Sequence, residues 1–506
     1  MTGLKVRSIE DAYVSRIKIQ TNGYGKSIYL NHPGGYTSVY GHLSDYNDII
    51  SEYVKNYQYN NETHTLDLYP GKNEILIKKG EVIAYSGNTG SSSGPHLHFE
   101  IRNTANQHPL NGLNYKFNVA DTIKPKFYNL YVYSVSGDLN RQRIISRKQI
   151  NLIKKDETYI IPNKKEIEIS SNTGFGLEVF DFLDRANNRC GIYTLELFVN
   201  GQALYSFKTD EFSFSESKYI NSHIDYELKI DENRQVHRLF KLPNNRLSMV
   251  KHIEELGILK FESAKKYFIE IRSTDVAGNE TTLSFNIKGG PPSTTIMKEE
   301  EAAKSLMSWN KNNEITNHLL KLSIPAGSLY QDAEINYLRI SGNTKLCKWI
   351  HKVGDPSIAL HLGATLKLNI SHIDSSFLSK ACIVNLDKEG SWDYIGGIVE
   401  DDKWIEAKIN KFGSFVVDVD TISPSIESVK SDISLKFIVK DNLSGIDIYK
   451  GFIDNKWVLF DYDPKNDFLQ YVFDADKIKR NSNHELELYV TDKKGNTSLY
   501  QNSFYW

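Results

Sequence analysis

In the stretch "GNTGSSSGPHLHFEIRN" (Gly87 to Asn103) two histidines stand one residue apart, behind a run of glycine and serine that no apolar core would select. Side chains of an extended segment alternate between faces, so His96, His98 and Glu100 would share one face and Leu97, Phe99 and Ile101 the other. The apolar three would anchor the strand, and the two imidazoles would stand side by side on a cleft face. Such a pair can hold a metal through one imidazole and keep the second beside the metal's open position. The glycines, serines and Pro95 make a tight approach to the strand, able to bring backbone N–H groups near a ligand. A third histidine, His42, closes another alternating run, "GYTSVYGHL", where Gly41-His42-Leu43 stops the alternation.

The elements that must position these groups are short strands. "RIKIQT", "KSIYLNH", "YTSVYGHL", "EILIKKGEVIAYSG" and "HLHFEIR" are alternating and bounded by turn residues. Between Ser44 and Tyr69 lies a polar, Tyr-rich insertion whose Ile49, Tyr53, Val54 and Tyr57 have helical spacing, which predicts a helix followed by a loop. The whole chain shares the strand bias: its 30 Tyr and 23 Phe suit the half-buried face of a pleated sheet.

At 506 residues the chain exceeds one core, and ordinary domain sizes predict about three or four domains. Lys+Arg 61 against Asp+Glu 63 gives no bulk charge that would draw it to nucleic acid or an anionic membrane. No apolar run approaches the ~20 residues of a membrane span, and "MTGLKVRSIEDAYV" lacks the pattern of a signal peptide. Cys190, Cys347 and Cys382 have no metal-binding spacing, and at most Cys347 and Cys382 could pair.

Beyond the first module the chain repeats itself. "DTIKP" (Asp121 to Pro125) recurs as "DTISP" (Asp420 to Pro424), and each opens a strand-rich stretch that closes on a similar turn, "STDVAGNETTLSFNI" and "VTDKKGNTSLY". Inside each lies a further Asp/Asn/Gly turn, "DRANNRCG" and "KDNLSG". Residues of this type tolerate positive φ and cap their own backbone, so they connect strands. The repeat predicts tandem antiparallel sandwiches resembling bacterial immunoglobulin-like domains, with Pro125 and Pro424 at an edge or a strand start. Between the copies, the acidic, helix-prone "MKEEEAAKSLMSW" precedes a β unit of different pattern, whose "IPAGSLY" resembles a motif of cell-surface β modules.

"GGYTSVYGHL" followed by "IKKGEVIAYSGNTGSSSGPHLHFEIR" resembles the lysostaphin/LytM type of zinc metallopeptidase, the peptidoglycan endopeptidases of peptidase family M23, from about Gly3 to about Val119. The resemblance implies that His98 binds zinc, while His96 and His42 flank the attacking water and the scissile carbonyl. A zinc with three protein ligands keeps a position for water, lowers that water's pKa toward ~7 and polarises the carbonyl. An unliganded imidazole beside it can take the proton or hydrogen-bond the oxyanion. The three histidines are therefore expected within about 8 Å of one another, the scale of a metal site and its immediate surroundings.

The family's first two zinc ligands are the His and Asp of a His-x-x-x-Asp motif, expected upstream of the strands seen here. His64 in the insertion and His108 after the strand do not occupy their positions. The expectation is thus a shortened piece of an exported enzyme; the alternative is a degenerate module that binds peptidoglycan or activates a partner hydrolase. The full expectation is a mainly β chain: a LytM-type antiparallel domain over residues 1–120 and three β-sandwich modules over 121–290, 291–419 and 420–506. It would be periplasmic or at the cell surface and act on peptidoglycan, with envelope proteins as partners of the β modules.

Overall fold

A computed structural model of the chain describes residues 1–115, 117–137, 142–162, 166–292, 306–342, 349–386 and 391–506. The N-terminal alternating runs become the strands of one sheet: β1 (Lys5–Arg7), β2 (Ala12–Ile19), β3 (Lys26–Asn31), β4 (Tyr36–Tyr46), β5 (Leu66–Leu68), β6 (Leu76–Ile77), β7 (Val82–Ser86), β8 (His98–Asn103) and β9 (Pro109–Leu110). Its spine runs β1-β7-β4-β3-β2-β5, with β8 beside β4 and every pairing antiparallel. Val14, Ile17, Ile28, Leu30, Leu43 and Ile83 are fully enclosed on its inner face.

Strand β4 organises the site. Along one side Tyr36–Gly41 pairs with Asn103–His98 of β8, and from Leu43 onward the strand pairs with β7 instead. The change of partner falls on His42, which takes the left-handed φ of 58° uncommon for a residue with a Cβ. This is the point at which the sequence alternation stops. Gly41 lets the backbone pass close to its neighbours, since a Cβ there would lie 3.2 Å from Tyr24 Cβ and 3.4 Å from His98 Cβ.

The insertion folds as α1 (Asp48–Asn61), capped by Asn47, whose side chain accepts from Ile50 N at 3.0 Å. Its buried face is Ile50, Val54 and Gln58, at helical spacing. The expected face is displaced: Ile49 and Tyr57 are exposed, because Ile50 and Val54 are the residues that pack into the core cluster of the sheet. Leu97 is likewise exposed and does not anchor the strand, which begins at His98.

The expected four modules form two compact units, because residues Met1–Leu110 and Val419–Trp506 cluster together and Asn111–Asp418 form the other. Within the first unit both ring nitrogens of His64 face carbonyls of the C-terminal module, Phe460 O at 3.0 Å and Tyr449 O at 3.1 Å. Lys26 pairs with Asp461, and Lys55 with Asp474. The C-terminal module itself is two four-stranded antiparallel sheets.

In the second unit, residues 126–289 build a four-stranded and an eight-stranded sheet. The larger is not wholly antiparallel, since Thr158–Ile160 and Ile167–Ile169 both run parallel to Glu280–Gly289. Residues 313–419 add two five-stranded sheets. Pro125 and Pro424 each immediately precede a strand, Lys126–Ser136 and Ser425–Val429, where a missing N–H interrupts no ladder. The helix-prone segment falls mainly on 293–305 and, with Cys347, lies outside the described residues; Cys190 is a free thiol. No helix of the described residues is long and apolar enough to cross a membrane.

The loop between β7 and β8 is held by a backbone contact that only glycine permits. Gly90 has φ +71°, and a Cβ there would lie 2.3 Å from Gly25 N and 2.4 Å from Gly23 O. Gly90→Ala is therefore expected to destabilise the first unit by about 1–3 kcal/mol through strain and forced separation of the two loops. Urea unfolding checks this, and an unchanged midpoint would show that the loops separate freely.

Candidate functional site

The register of β4 against β8 sets Gly41 opposite His98, so His42 and the His-x-His pair meet at one end of the sheet. Ring centroids of His42 and His96 lie 4.7 Å apart and those of His42 and His98 5.6 Å apart. One nitrogen from each of the three rings lies within 4.8 Å of the others. The three residues singled out in the sequence are thus brought together. His64, with both nitrogens on carbonyls, and His108 are not part of the cluster.

Each imidazole has one nitrogen committed to the protein. His42 Nδ1 faces Thr89 O at 2.8 Å, His96 Nδ1 faces Gly94 O at 2.8 Å and Ser92 Oγ at 3.2 Å, and His98 Nε2 faces Glu100 Oε1 at 2.5 Å. A carbonyl or carboxylate can only accept, so these nitrogens carry the proton and the tautomers follow. His42 Nε2, His96 Nε2 and His98 Nδ1 retain lone pairs. An imidazole whose far nitrogen donates to an oxygen is the arrangement that orients metal-binding histidines and raises their basicity. An imidazole nitrogen with a free lone pair, as at His98 Nδ1, is a donor that fits zinc.

The Gly-Ser loop supplies the acceptors of His42 and His96 and is itself tied down. Thr89 Oγ1 accepts from Lys26 N at 2.9 Å and donates to Leu43 O at 2.9 Å, and Ser91 N donates to Gly23 O at 2.8 Å. Lys465 of the C-terminal module donates to Asn88 O and Ser92 O of the same loop. His42 is buried while His96 is exposed, so the cluster opens to solvent on the His96 side. Burial pushes the pKa of His42 below its ordinary value, and nearby His96, His98 and Lys465 add to this against the opposing Thr89 carbonyl.

The roles of Glu100, Arg102 and Tyr24 escaped sequence reasoning. Glu100 accepts from His98, from Arg102 Nε at 2.7 Å and from the Tyr24 hydroxyl, and Tyr24 also stacks on His98 with ring centroids 4.5 Å apart. Burial alone would raise the Glu100 pKa, but the hydrogen bonds from His98, Arg102 and Tyr24 outweigh it and hold the carboxyl at about 2. The signal for Glu100 and Arg102 was the alternation itself, which puts His98, Glu100 and Arg102 on one face. Tyr24 sits in a turn and left no pattern to read.

The family model described as peptidase family M23 matches residues 58–111, a stretch that includes His96 and His98 and begins after His42. A Zu5-like domain model matches residues 304–420, the β unit that carries "IPAGSLY". An uncharacterized metalloprotease of Haemophilus influenzae is 36% identical over 99 residues, covering 20% of this chain and 16% of that protein. The DD-carboxypeptidase/endopeptidase Mpg of Neisseria meningitidis is 30% identical over 109 residues, covering 22% of this chain and 19% of that protein. The match thus spans less than a fifth of the length of these relatives. Among solved structures, the catalytic domain of the prophage-encoded M23 protein EnpA of Enterococcus faecalis is 20% identical, with a TM-score of 0.17, covering 23% of this chain and 72% of that one.

The Glu100 network has a measurable pH signature. A carboxyl held at about 2 against an ordinary 4.5 contributes stability above pH 4.5 that is lost as pH falls toward 2, a loss of about 3 kcal/mol. Urea midpoints of the first unit should fall accordingly between pH 5 and pH 2.5, and Glu100→Gln should flatten that fall. An identical slope in the variant would show that Glu100 is not the titrating group.

Proposed function

Because the N-terminal module is of the LytM type of peptidase family M23, we propose that it is a zinc metalloendopeptidase of the bacterial cell envelope that hydrolyses peptide cross-links of peptidoglycan. The observation that carries this reading is the convergence of three imidazoles, each with its far nitrogen bonded to a protein oxygen and its near nitrogen free. His98 would hold the zinc through Nδ1, with Glu100 fixing the ring. Bound zinc supplies Lewis acidity, polarising a peptide carbonyl and lowering the pKa of a water.

The remaining work falls to the chain's own side chains. His42 and His96 each present a lone pair at Nε2 with the opposite N–H anchored. One can accept the proton of the attacking water and then, as an imidazolium, return it to the leaving amine. The other could donate a hydrogen bond to the oxyanion only with Nε2 also protonated, as an imidazolium, because its Nδ1–H is anchored. Neither imidazole needs to reorganise, because the Gly-Ser loop already sets both orientations. The relatives whose names speak of DD-carboxypeptidase and endopeptidase activity support a cell-wall peptide as substrate. The β modules would serve as scaffold or as contacts to envelope proteins.

The test places a segment carrying the family's His-x-x-x-Asp motif in front of this chain and measures zinc content beside peptidoglycan digestion. That protein should bind zinc and release soluble fragments. His98→Ala should remove the zinc. His42→Ala and His96→Ala should retain it and lower turnover about 10²–10⁴-fold. Zinc retained by His98→Ala would remove that residue as a ligand. A zinc-loaded protein that binds peptidoglycan without cutting would favour a degenerate binding module.

A further inference from the structure

The two immunoglobulin-like repeats each gather three aspartates. Asp121, Asp181 and Asp275 offer carboxylate oxygens within 4.8 Å of one another, and so do Asp420, Asp441 and Asp492. The two sets occupy equivalent places. Asp121 and Asp420 open the "DTIxP" segments, and Asp275 and Asp492 open the closing turns. Asp181 and Asp441 directly follow Asn172–Phe180 and Ser434–Lys440, strands that each pair with the one after the repeat's proline.

An asparagine ties each set together in the same way. Asn279 donates its main-chain N–H to Asp275 Oδ1 at 2.8 Å and its amide to Asp275 Oδ2 at 2.7 Å and Asp121 O at 3.2 Å. Asn496 donates to Asp492 Oδ1 at 2.9 Å, Asp492 Oδ2 at 2.7 Å and Asp420 O at 3.0 Å.

Acidic groups often meet in turns, and what decides here is which oxygens are left over. Asp181 is 4% exposed, and its Oδ1 is closed off from solvent without a hydrogen-bond partner. The equivalent atom of the other repeat, Asp441 Oδ1, is enclosed and unpartnered too. Beside the second set, Ser444 is 1% exposed and donates its N–H to Asp420 Oδ2 at 3.0 Å, while its hydroxyl has no partner. A buried oxygen without a donor forfeits its hydration for nothing, and a buried carboxylate does so at greater cost. The same omission at the same position of two repeats is what a shared ligand would leave behind.

We propose that each repeat binds one Ca²⁺ at its three aspartates. The donors are all carboxylate oxygens, with no imidazole or thiolate among them, a set that suits a hard cation better than zinc. Ca²⁺ accepts six to eight oxygens in flexible geometry, so turns can complete its shell with carbonyls and water, whereas Mg²⁺ demands a stricter octahedron. One ion would fasten the opening segment of a repeat to its closing turn and relieve the repulsion among the three carboxylates.

The experiment uses the full chain, stripped with EDTA and dialysed against CaCl₂, with bound metal measured by elemental analysis. The unaltered chain should take up two Ca²⁺, Asp181→Asn and Asp441→Asn one each, and the double variant none. The variants' far-ultraviolet circular dichroism should match that of the unaltered chain. His98→Ala should leave the Ca²⁺ count at two, which separates these sites from the histidine cluster. Melting of the unaltered chain, which needs no variant, should shift upward by about 5 °C in 1 mM Ca²⁺ over EDTA, and less in Mg²⁺. No Ca²⁺ uptake and no shift would overturn the proposal, as would a folded double variant that still binds two ions.

Discussion

The antiparallel register between Tyr36–Gly41 and His98–Asn103 is the constraint on which the site depends. A slip of one residue would turn His98, Glu100 and Arg102 to the opposite face and put apolar side chains in the cleft. The register is enforced from both sides. Ile101 is buried in the core, and a side chain at the glycine opposite His98 would press on Tyr24 and on the histidine, at 3.2 and 3.4 Å from their Cβ atoms. The partner change at His42 then swings one more imidazole toward the pair, at the expense of a left-handed backbone that surrounding strands hold in place.

Around that register the module uses polar groups as jigs. Thr89, Gly94 and Glu100 each take one imidazole proton, so the three rings share a logic although their acceptors differ. Glu100 is the most heavily engaged, receiving an imidazole, a guanidinium and a phenol within a half-buried pocket. Low effective dielectric strengthens such bonds and also makes any missing partner expensive. The C-terminal module adds a further hold through Lys465, whose ammonium caps two carbonyls of the acceptor loop.

The β repeats show a second use of the same principle. An asparagine in each closing turn reaches back to the residue that opens the repeat, so the ends of the module are stitched by hydrogen bonds from a side-chain amide to a main-chain carbonyl. Thr281 and Ser498 repeat the stitch one step further on, each donating to the carbonyl of the proline before the first strand. Residues far apart in sequence but equivalent in the repeat thus make the same bonds.

Much of this was legible in the residues alone. Alternation identified the strands, because a pleated ribbon buries every second side chain. The His-x-His and the Tyr-Gly-His-Leu turn pointed to one site, and the repeated "DTIxP" and Gly-Asn turns pointed to two related modules. The sequence could not say that α1 buries Ile50 in place of Ile49, since both positions are apolar and only packing against the core of the sheet selects the face. It could not say that the last module joins the first in one compact unit, because His64, Phe460 and Tyr449 carry no pattern that links them. Nor could it assign Tyr24 to Glu100, or an unpaired oxygen to Asp181. Local periodicity is written in neighbouring residues, so composition and spacing determined the strands, the motifs and the repeat. Contacts between distant segments depend on register, twist and loop closure, and only the tertiary structure decided which nitrogen of each histidine is bound and which is free.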